Sequence, residues 1–143
     1  MTDIQHDFLI KAPLERVYQA ISTPQGLDAW WTQRSAGDAK EGSEFQLWFG
    51  PAYDWRATVT RCVPAREFEL RITAADADWL GTRVGFYLNG QGDQTQVRFH
   101  HAGWPSANEH CRISSYCWAM YLRILRRFLE HGEVVPYEAR LEA

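Results

Sequence analysis

Between Ser106 and Glu130 the chain has neither glycine nor proline, and its apolar residues recur at helical spacing. Ser106 with Glu109 three residues later has the pattern of a capping box, and His131-Gly132 that of a helix C-terminus. The run predicts one helix of about 25 residues, or ~37 Å at 1.5 Å per residue. Ile113, Cys117, Met120, Ile124 and Phe128 form one apolar stripe, and Trp118, Leu122, Leu125 and Leu129 a second. Arg123, Arg126 and Glu130 mark the wet side. The apolar sector is wider than a helix needs in order to sit on a flat sheet.

The preceding text is written in strand period. Ile4, His6, Phe8 and Ile10 alternate with polar neighbours. Pro13 then opens a short helix carrying Leu14, Val17, Tyr18 and Ile21, and Thr23-Pro24 opens a second that ends near Trp30 and Trp31. Gly37 and Gly42 bracket a polar loop. Phe45, Leu47 and Phe49 alternate, and Gly50-Pro51 turns the chain. Residues 55–63 have an ambiguous inward parity, Ala57 and Val59 against Thr58, Thr60 and Cys62, which a bulge would reconcile. Phe68, Leu70 and Ile72 alternate with Glu67, Glu69 and Arg71, so a buried and a wet face are expected. An Ala/Asp loop carries Trp79. Val84, Phe86 and Leu88, a turn at residues 89–93, and Val97, Phe99 and His101 complete the pattern. The reading is α+β: a six-stranded antiparallel sheet, two short helices after the first strand, and one long C-terminal helix to cover the sheet. One domain spanning 1–143 is expected.

Composition excludes several classes of function. Hydrophobic residues at 45% and charged residues at 23% are globular proportions. A net charge of −3 argues against a nucleic-acid footprint. No apolar run approaches the ~18 residues of a membrane span. The first residues mix charged and apolar types and lack a signal-peptide core, so a cytoplasmic location is expected, with Cys62, Cys111 and Cys117 as free thiols. The seven Trp, six Tyr and seven Phe exceed what a core of this size calls for and suit the wall of a pocket.

Several segments together resemble the helix-grip superfamily, also called START/Bet v 1-like or SRPBCC. The nearest group is similar to the C-terminal domain of the Hsp90 ATPase activator. The resemblance rests on residues 12–21 (APLERVYQAI), 27–31 (LDAWW), Val63-Pro64, Gly81-Thr82-Arg83-Val84, Gln94-Thr95-Gln96-Val97, residues 117–125 (CWAMYLRIL) and Leu129-Glu130-His131-Gly132. Two segments depart from the family pattern. Residues 50–55 read GPAYDW where the family often has a glycine-rich stretch, and Cys117 stands where glycine is common. The resemblance implies a curved sheet gripping the long helix, with a cavity between them for apolar or amphipathic small molecules. It supplies no catalytic residue.

Within that frame Trp31, Phe45, Phe86, Phe99, His101, Met120, Tyr121 and Ile124 are the expected ligand contacts, with Trp55, Trp79 and Trp104 at the pocket rim. Adjacent strand residues point to opposite faces, so of His100 and His101 only His101 looks inward, as a polar anchor with His6 at the same parity. Trp48 faces away from Phe45 and Leu47 and suits an exposed or dimer contact. Glu67, Glu69, Asp76 and Asp78 are expected on solvated surfaces. No HExxH, Cys/His ligand spacing, P-loop or GxSxG occurs, so no metal, no cofactor and no catalysis are expected. The leading function is binding of a small apolar or aromatic molecule. The alternatives are a protein-interaction module, co-chaperone-like toward an Hsp90-type ATPase or forming a homodimer, and a cyclase- or aromatase-like enzyme.

Overall fold

A computed structural model describes all 143 residues. β1 (Thr2–Ile10) leads into α1 (Leu14–Ser22) and α2 (Pro24–Asp28). Then follow β2 (Arg34–Ala36), β3 (Glu44–Trp48), β4 (Asp54–Val63), β5 (Glu67–Ala74), β6 (Arg83–Gln91) and β7 (Gln94–Trp104). The chain ends in α3 (Glu109–His131) and a 3-10 helix over Tyr137–Glu142. The strands form one antiparallel sheet in the order β1-β7-β6-β5-β4-β3-β2, a meander from β2 to β7 with β1 closing on β7.

The sheet has seven strands, not six. The additional strand, β2, pairs Arg34, Ser35 and Ala36 with Trp48, Leu47 and Gln46 at the sheet edge. It is three residues long and half-exposed or exposed throughout, so backbone pairing holds it with no alternating apolar residues to announce it. In β4 the expected bulge is present, with register shifts at Arg56/Ala57 and Val59/Arg61. Ala57 and Val59 take the inward positions.

α3 begins two residues later than its sequence pattern suggests. Asn108, not Ser106, is the N-cap, and its side chain accepts from the Cys111 amide at 2.9 Å. At the other end Gly132 takes the left-handed conformation (φ 67°) and donates its amide to Phe128 at 2.9 Å. The stripe that α3 buries is Trp118, Leu122, Leu125 and Leu129, together with Cys111, Ser114 and Ile124. Ile113 is half-exposed at 51%, and Cys117, Met120 and Phe128 are partly buried.

The inner face of the sheet, α1, α2 and α3 enclose a continuous core that includes Trp30, Phe45, Phe68, Phe86, Phe99 and Trp118. Trp30 satisfies its indole N–H on the Ala20 carbonyl at 2.9 Å. Outside the sheet, the expectation for Glu69 needs correcting. It does face outward, but it is only 7% exposed. Its carboxylate accepts from Thr60 Oγ1 at 2.8 Å and meets His100 Nε2 at 2.7 Å. Burial raises the Glu69 carboxyl pKa, while hydrogen bonds and the His100 and Arg83 charges lower it further, leaving it below the usual range. Trp48 is half-buried beneath the Arg34 guanidinium, 4.0 Å from the ring.

Candidate functional site

The space between sheet and helix is filled along most of its length. Trp118 projects from α3 onto Phe99 (ring centroids 4.5 Å apart), Trp31 (5.2 Å) and Trp79 (5.9 Å). An aromatic opening remains at one end, between the N-terminal half of α3, the β3–β4 turn and the β5–β6 loop, and a more polar one of about 160 Å3 lies between β1 and α3 at His6, Phe8, Ala119 and Leu122. Two adjoining clefts form the aromatic opening and share Trp31, Trp55, Trp79 and Tyr121 as walls. The first, about 180 Å3, is completed by His110, Ile113, Ser114, Cys117 and Trp118. The second, about 210 Å3, is completed by Phe49, Tyr53, Asp76 and Tyr137.

Local structure explains each wall. The α3 residues at 110, 113, 114, 117, 118 and 121 recur at three- and four-residue intervals and so share one side of the helix. The β3–β4 turn is closed by Tyr53 N–H on Gly50 O (2.9 Å) and Phe49 N–H on Tyr53 O (3.0 Å), which sets Phe49, Tyr53 and Trp55 beside one another. In the β5–β6 loop the amides of Trp79 and Leu80 both bond Asp76 O, and Gly81 bonds back to Ile72 O. This hydrogen-bonded turn folds Trp79 inward to 8% exposure. Tyr137 arrives from the C-terminal 3-10 helix and donates its hydroxyl to Phe49 O at 3.1 Å.

Beneath the cleft floor runs a closed polar chain. Trp118 Nε1–H donates to His101 Nδ1 at 3.0 Å. Nδ1 therefore carries the lone pair and Nε2 the proton, which goes to Thr82 Oγ1 at 2.8 Å. Thr82 Oγ1 in turn donates to Trp79 O at 2.5 Å. Burial pushes the His101 pKa down to about 3, with His100 and His110 adding to the effect, so the ring is neutral at ordinary pH. At the cleft mouth His110 Nδ1 lies within hydrogen-bond distance, 3.0 Å, of Asp78 Oδ2, a loop carboxylate that stays partly exposed. Burial also raises the Tyr121 hydroxyl to about 12, with smaller contributions from Tyr137 and Cys117, so it stays protonated. Trp79 Nε1 and Trp104 Nε1 are buried donors without a partner.

The expected contact residues separate into three groups. Trp31, Tyr121, Trp55 and Trp79 come together at the cleft. Phe45, Phe86, Phe99 and Ile124 lie within the core at 4% exposure or less, and Met120 packs against that core from the α3 surface. His101 is fully buried with both nitrogens engaged, and Trp104 is fully buried behind His110, 5.5 Å from it, not at a rim. Trp104 closes β7 opposite Thr2, beyond a register shift between Thr2 and Ile4 that breaks the alternation of Val97, Phe99 and His101 and turns an even-numbered residue inward. His6 stacks on Phe99 at 6.2 Å. His100 and His101 stand on opposite sides of the sheet, and no group of three or more metal-ligating side chains converges.

Sequence reasoning did not place Ile113, Ser114, Cys117, Trp118, Phe49, Tyr53 or Tyr137 at the site. For the α3 members the missing step was the helix rotation: the Trp118 stripe faces the sheet, which turns the Ile113/Cys117 stripe toward the open end. Tyr137 carries no periodic signal at all.

Comparison with known proteins identifies the family. Residues 11–130 match the family described as activator of Hsp90 ATPase homolog 1-like protein. The chain belongs to this family. Among solved structures, this activator-like chain is similar to the Aha1 dimer of Colwellia psychrerythraea at 32% identity and TM-score 0.83, over 93% of this chain and 99% of that one. It is similar in fold to CalU16 of Micromonospora echinospora (23% identity, TM-score 0.71, 98% of this chain and 83% of that one). It also shares the fold of DynU16, from the dynemicin biosynthetic locus (18% identity, TM-score 0.79, 92% of this chain and 48% of that one). A search of curated proteins gives no match. No helix of the activator-like chain is long and apolar enough to cross a membrane.

Proposed function

We propose that this activator-like protein binds a small apolar or aromatic molecule at the open end of its helix grip. One observation carries the reading: four of the seven tryptophans, Trp31, Trp55, Trp79 and Trp118, line a single cleft. Wide rings at a solvent-open cleft offer a ligand large apolar contact at small entropic cost, because each has only two side-chain torsions. Trp31, Tyr121, Trp55 and Trp79 make the contacts. Phe99 backs Trp118 from the sheet side, and Phe45, Phe86 and Ile124 belong to the packed core. His101 positions Trp118 directly and Trp79 by way of Thr82, and leaves the ligand contacts to them.

The test is calorimetric titration with tert-butylbenzene, compared between the native protein and Ile113→Glu. Ile113 is half-exposed at the cleft edge, so this variant charges the mouth without disturbing the core. Saturable binding, weakened about tenfold by Ile113→Glu, is the expected result. Absence of saturable binding, or equal affinity in the variant, overturns the reading.

The exposed apolar surface beside the cleft favours one further occupant. Tyr116 (81% exposed) and Ile113 project from adjacent turns of α3, and the similar Colwellia protein is a dimer. Under this second reading α3 pairs with a second copy of the chain. Light scattering across a concentration series would show a dimer that Tyr116→Glu dissociates; a monomer at every concentration would dismiss it.

A further inference from the structure

The second half of the cleft has an unusual wall. Of the eight residues around it, seven are aromatic and the eighth is Asp76; no aliphatic and no basic side chain lines it. A pocket built only to hold hydrocarbon has no need to exclude Leu, Ile and Val. An all-ring wall with one carboxylate matches a different chemistry, because aromatic faces carry negative potential and attract organic cations.

The ring arrangement supports this. Neighbouring rings do not stack flat. Trp31 and Phe49 meet at 60° with centroids 5.5 Å apart, Phe49 and Trp55 at 65° and 5.3 Å, and Tyr53 and Trp55 at 83° and 6.3 Å. Steeply inclined rings form the sides of a box, which presents several faces to one enclosed group. The volume of about 210 Å3 suits a compact headgroup. Asp76 is exposed, and while its backbone carbonyl holds the loop turn, its carboxylate takes part in no ion pair. Two guanidinium groups lie near the wall: Arg56 is paired with Asp54 and also reaches the Trp55 carbonyl at 3.3 Å, and Arg140 packs against the Tyr137 ring at 5.3 Å. Arg140 is only 3% exposed, and the carbonyls of Val135, Thr32 and Asp28 accept its N–H groups.

We infer that this box is a binding site for a quaternary or alkylated ammonium group, with Asp76 as its counter-charge. The inference rests on the cleft reading above and names its ligand class: an apolar molecule whose cationic end sits among Trp31, Phe49, Tyr53 and Trp55, and whose uncharged body extends toward Trp118 and Ile113.

Phenyltrimethylammonium and tert-butylbenzene have nearly the same shape and differ in charge. Titration of the full chain with each, at low and at moderate salt, tests the inference. The cation should bind about fivefold or more tightly than its neutral isostere, as a contribution near 1 kcal/mol from cation–ring attraction requires. Asp76→Asn should weaken the cation severalfold and leave tert-butylbenzene unchanged. Trp55→Leu, which keeps the wall apolar, should weaken the cation more than the isostere. If both ligands bind alike, or Asp76→Asn affects neither, the cation site is overturned while the apolar cleft stands. If neither ligand binds, both readings fall.

Discussion

The indole N–H of Trp118 ends on His101 Nδ1, 3.0 Å away, and this bond decides what His101 can do. It fixes the Nε2–H tautomer, commits the second nitrogen to Thr82, and links the central ring of the cleft floor to the loop that presents Trp79. A histidine so placed is a strut of the site. Its charge state follows from burial: with the pKa near 3, protonation inside the fold would sacrifice the Trp118 bond and place an uncompensated charge in the core.

Stability should therefore fall on mild acidification. The folded-state pKa of His101 lies below its unfolded value of 6.5, so between pH 6.5 and about 3 the unfolded chain binds the extra proton. The contribution is complete above pH 6.5 and is lost at up to ~1.4 kcal/mol per pH unit as pH falls. Glu69, held below its ordinary range, loses its contribution in the same direction as pH drops through its folded pKa. Urea midpoints at pH 7.5, 6 and 5 measure this. A His101→Gln variant should be less stable at pH 7.5 and show a flatter slope between pH 6.5 and 5. A native protein as stable at pH 5 as at 7.5 would contradict the assignment.

Gly85 should tolerate no side chain while His100 is present. A Cβ at this position would sit 2.6 Å from the His100 ring, which crosses the bare β6 backbone on its way to Glu69. Gly85→Ala either forces the ring aside, stranding the buried carboxylate, or shifts the strand. The expected cost is about 1–3 kcal/mol. In a His100→Ala background the same substitution should cost clearly less, because the obstructing ring is gone. Chemical denaturation of the four-member cycle reads this coupling directly. Equal costs in both backgrounds would show that the ring is not the obstacle.

The caps of α3 give a sharper local contrast. Asn108→Ala should cost about 1 kcal/mol, since its side chain satisfies the Cys111 amide. Ser106→Ala, at the position the sequence pattern favours, should change stability by less than ~0.5 kcal/mol. Thermal midpoints of the two variants separate the assignments.

The fold was legible because its signals are periodic. Alternation marked six strands, and the uninterrupted α3 run with His131-Gly132 marked the helix and its stop. β2 escaped because three polar-leaning residues at an edge pair through backbone alone. Residue types at the site were half legible: an excess of tryptophan announced a pocket, and Trp31, Trp55, Trp79 and Tyr121 do converge there. Inward parity, however, cannot separate a cleft wall from a packed core, so Phe45, Phe86 and Phe99 read the same as Trp31 until the filling of the interior by Trp118 is seen. Glu69 looked solvated because an outward parity says nothing about what neighbouring side chains such as His100 cover.

The C-terminal segment, silent in the sequence, should prove essential to the cleft. Arg140 is buried and donates to Val135 O (3.1 Å), Thr32 O (3.1 Å) and Asp28 O (2.7 Å), tying the tail to the end of α2. The same tail delivers Tyr137 to the cleft wall and its hydroxyl to Phe49 O. Arg140→Met keeps much of the volume and removes all three charged donors, leaving buried carbonyls unmatched at a cost of about 2–3 kcal/mol. The loss should appear first as detachment of the tail and only then as global unfolding. Limited proteolysis should cut Arg140→Met after Gly132 at protease levels that spare the native chain, and tert-butylbenzene affinity should fall severalfold as Tyr137 leaves the wall. A variant that resists cleavage and binds as the native protein does would mean that Val135 and Tyr137 hold the tail without the guanidinium.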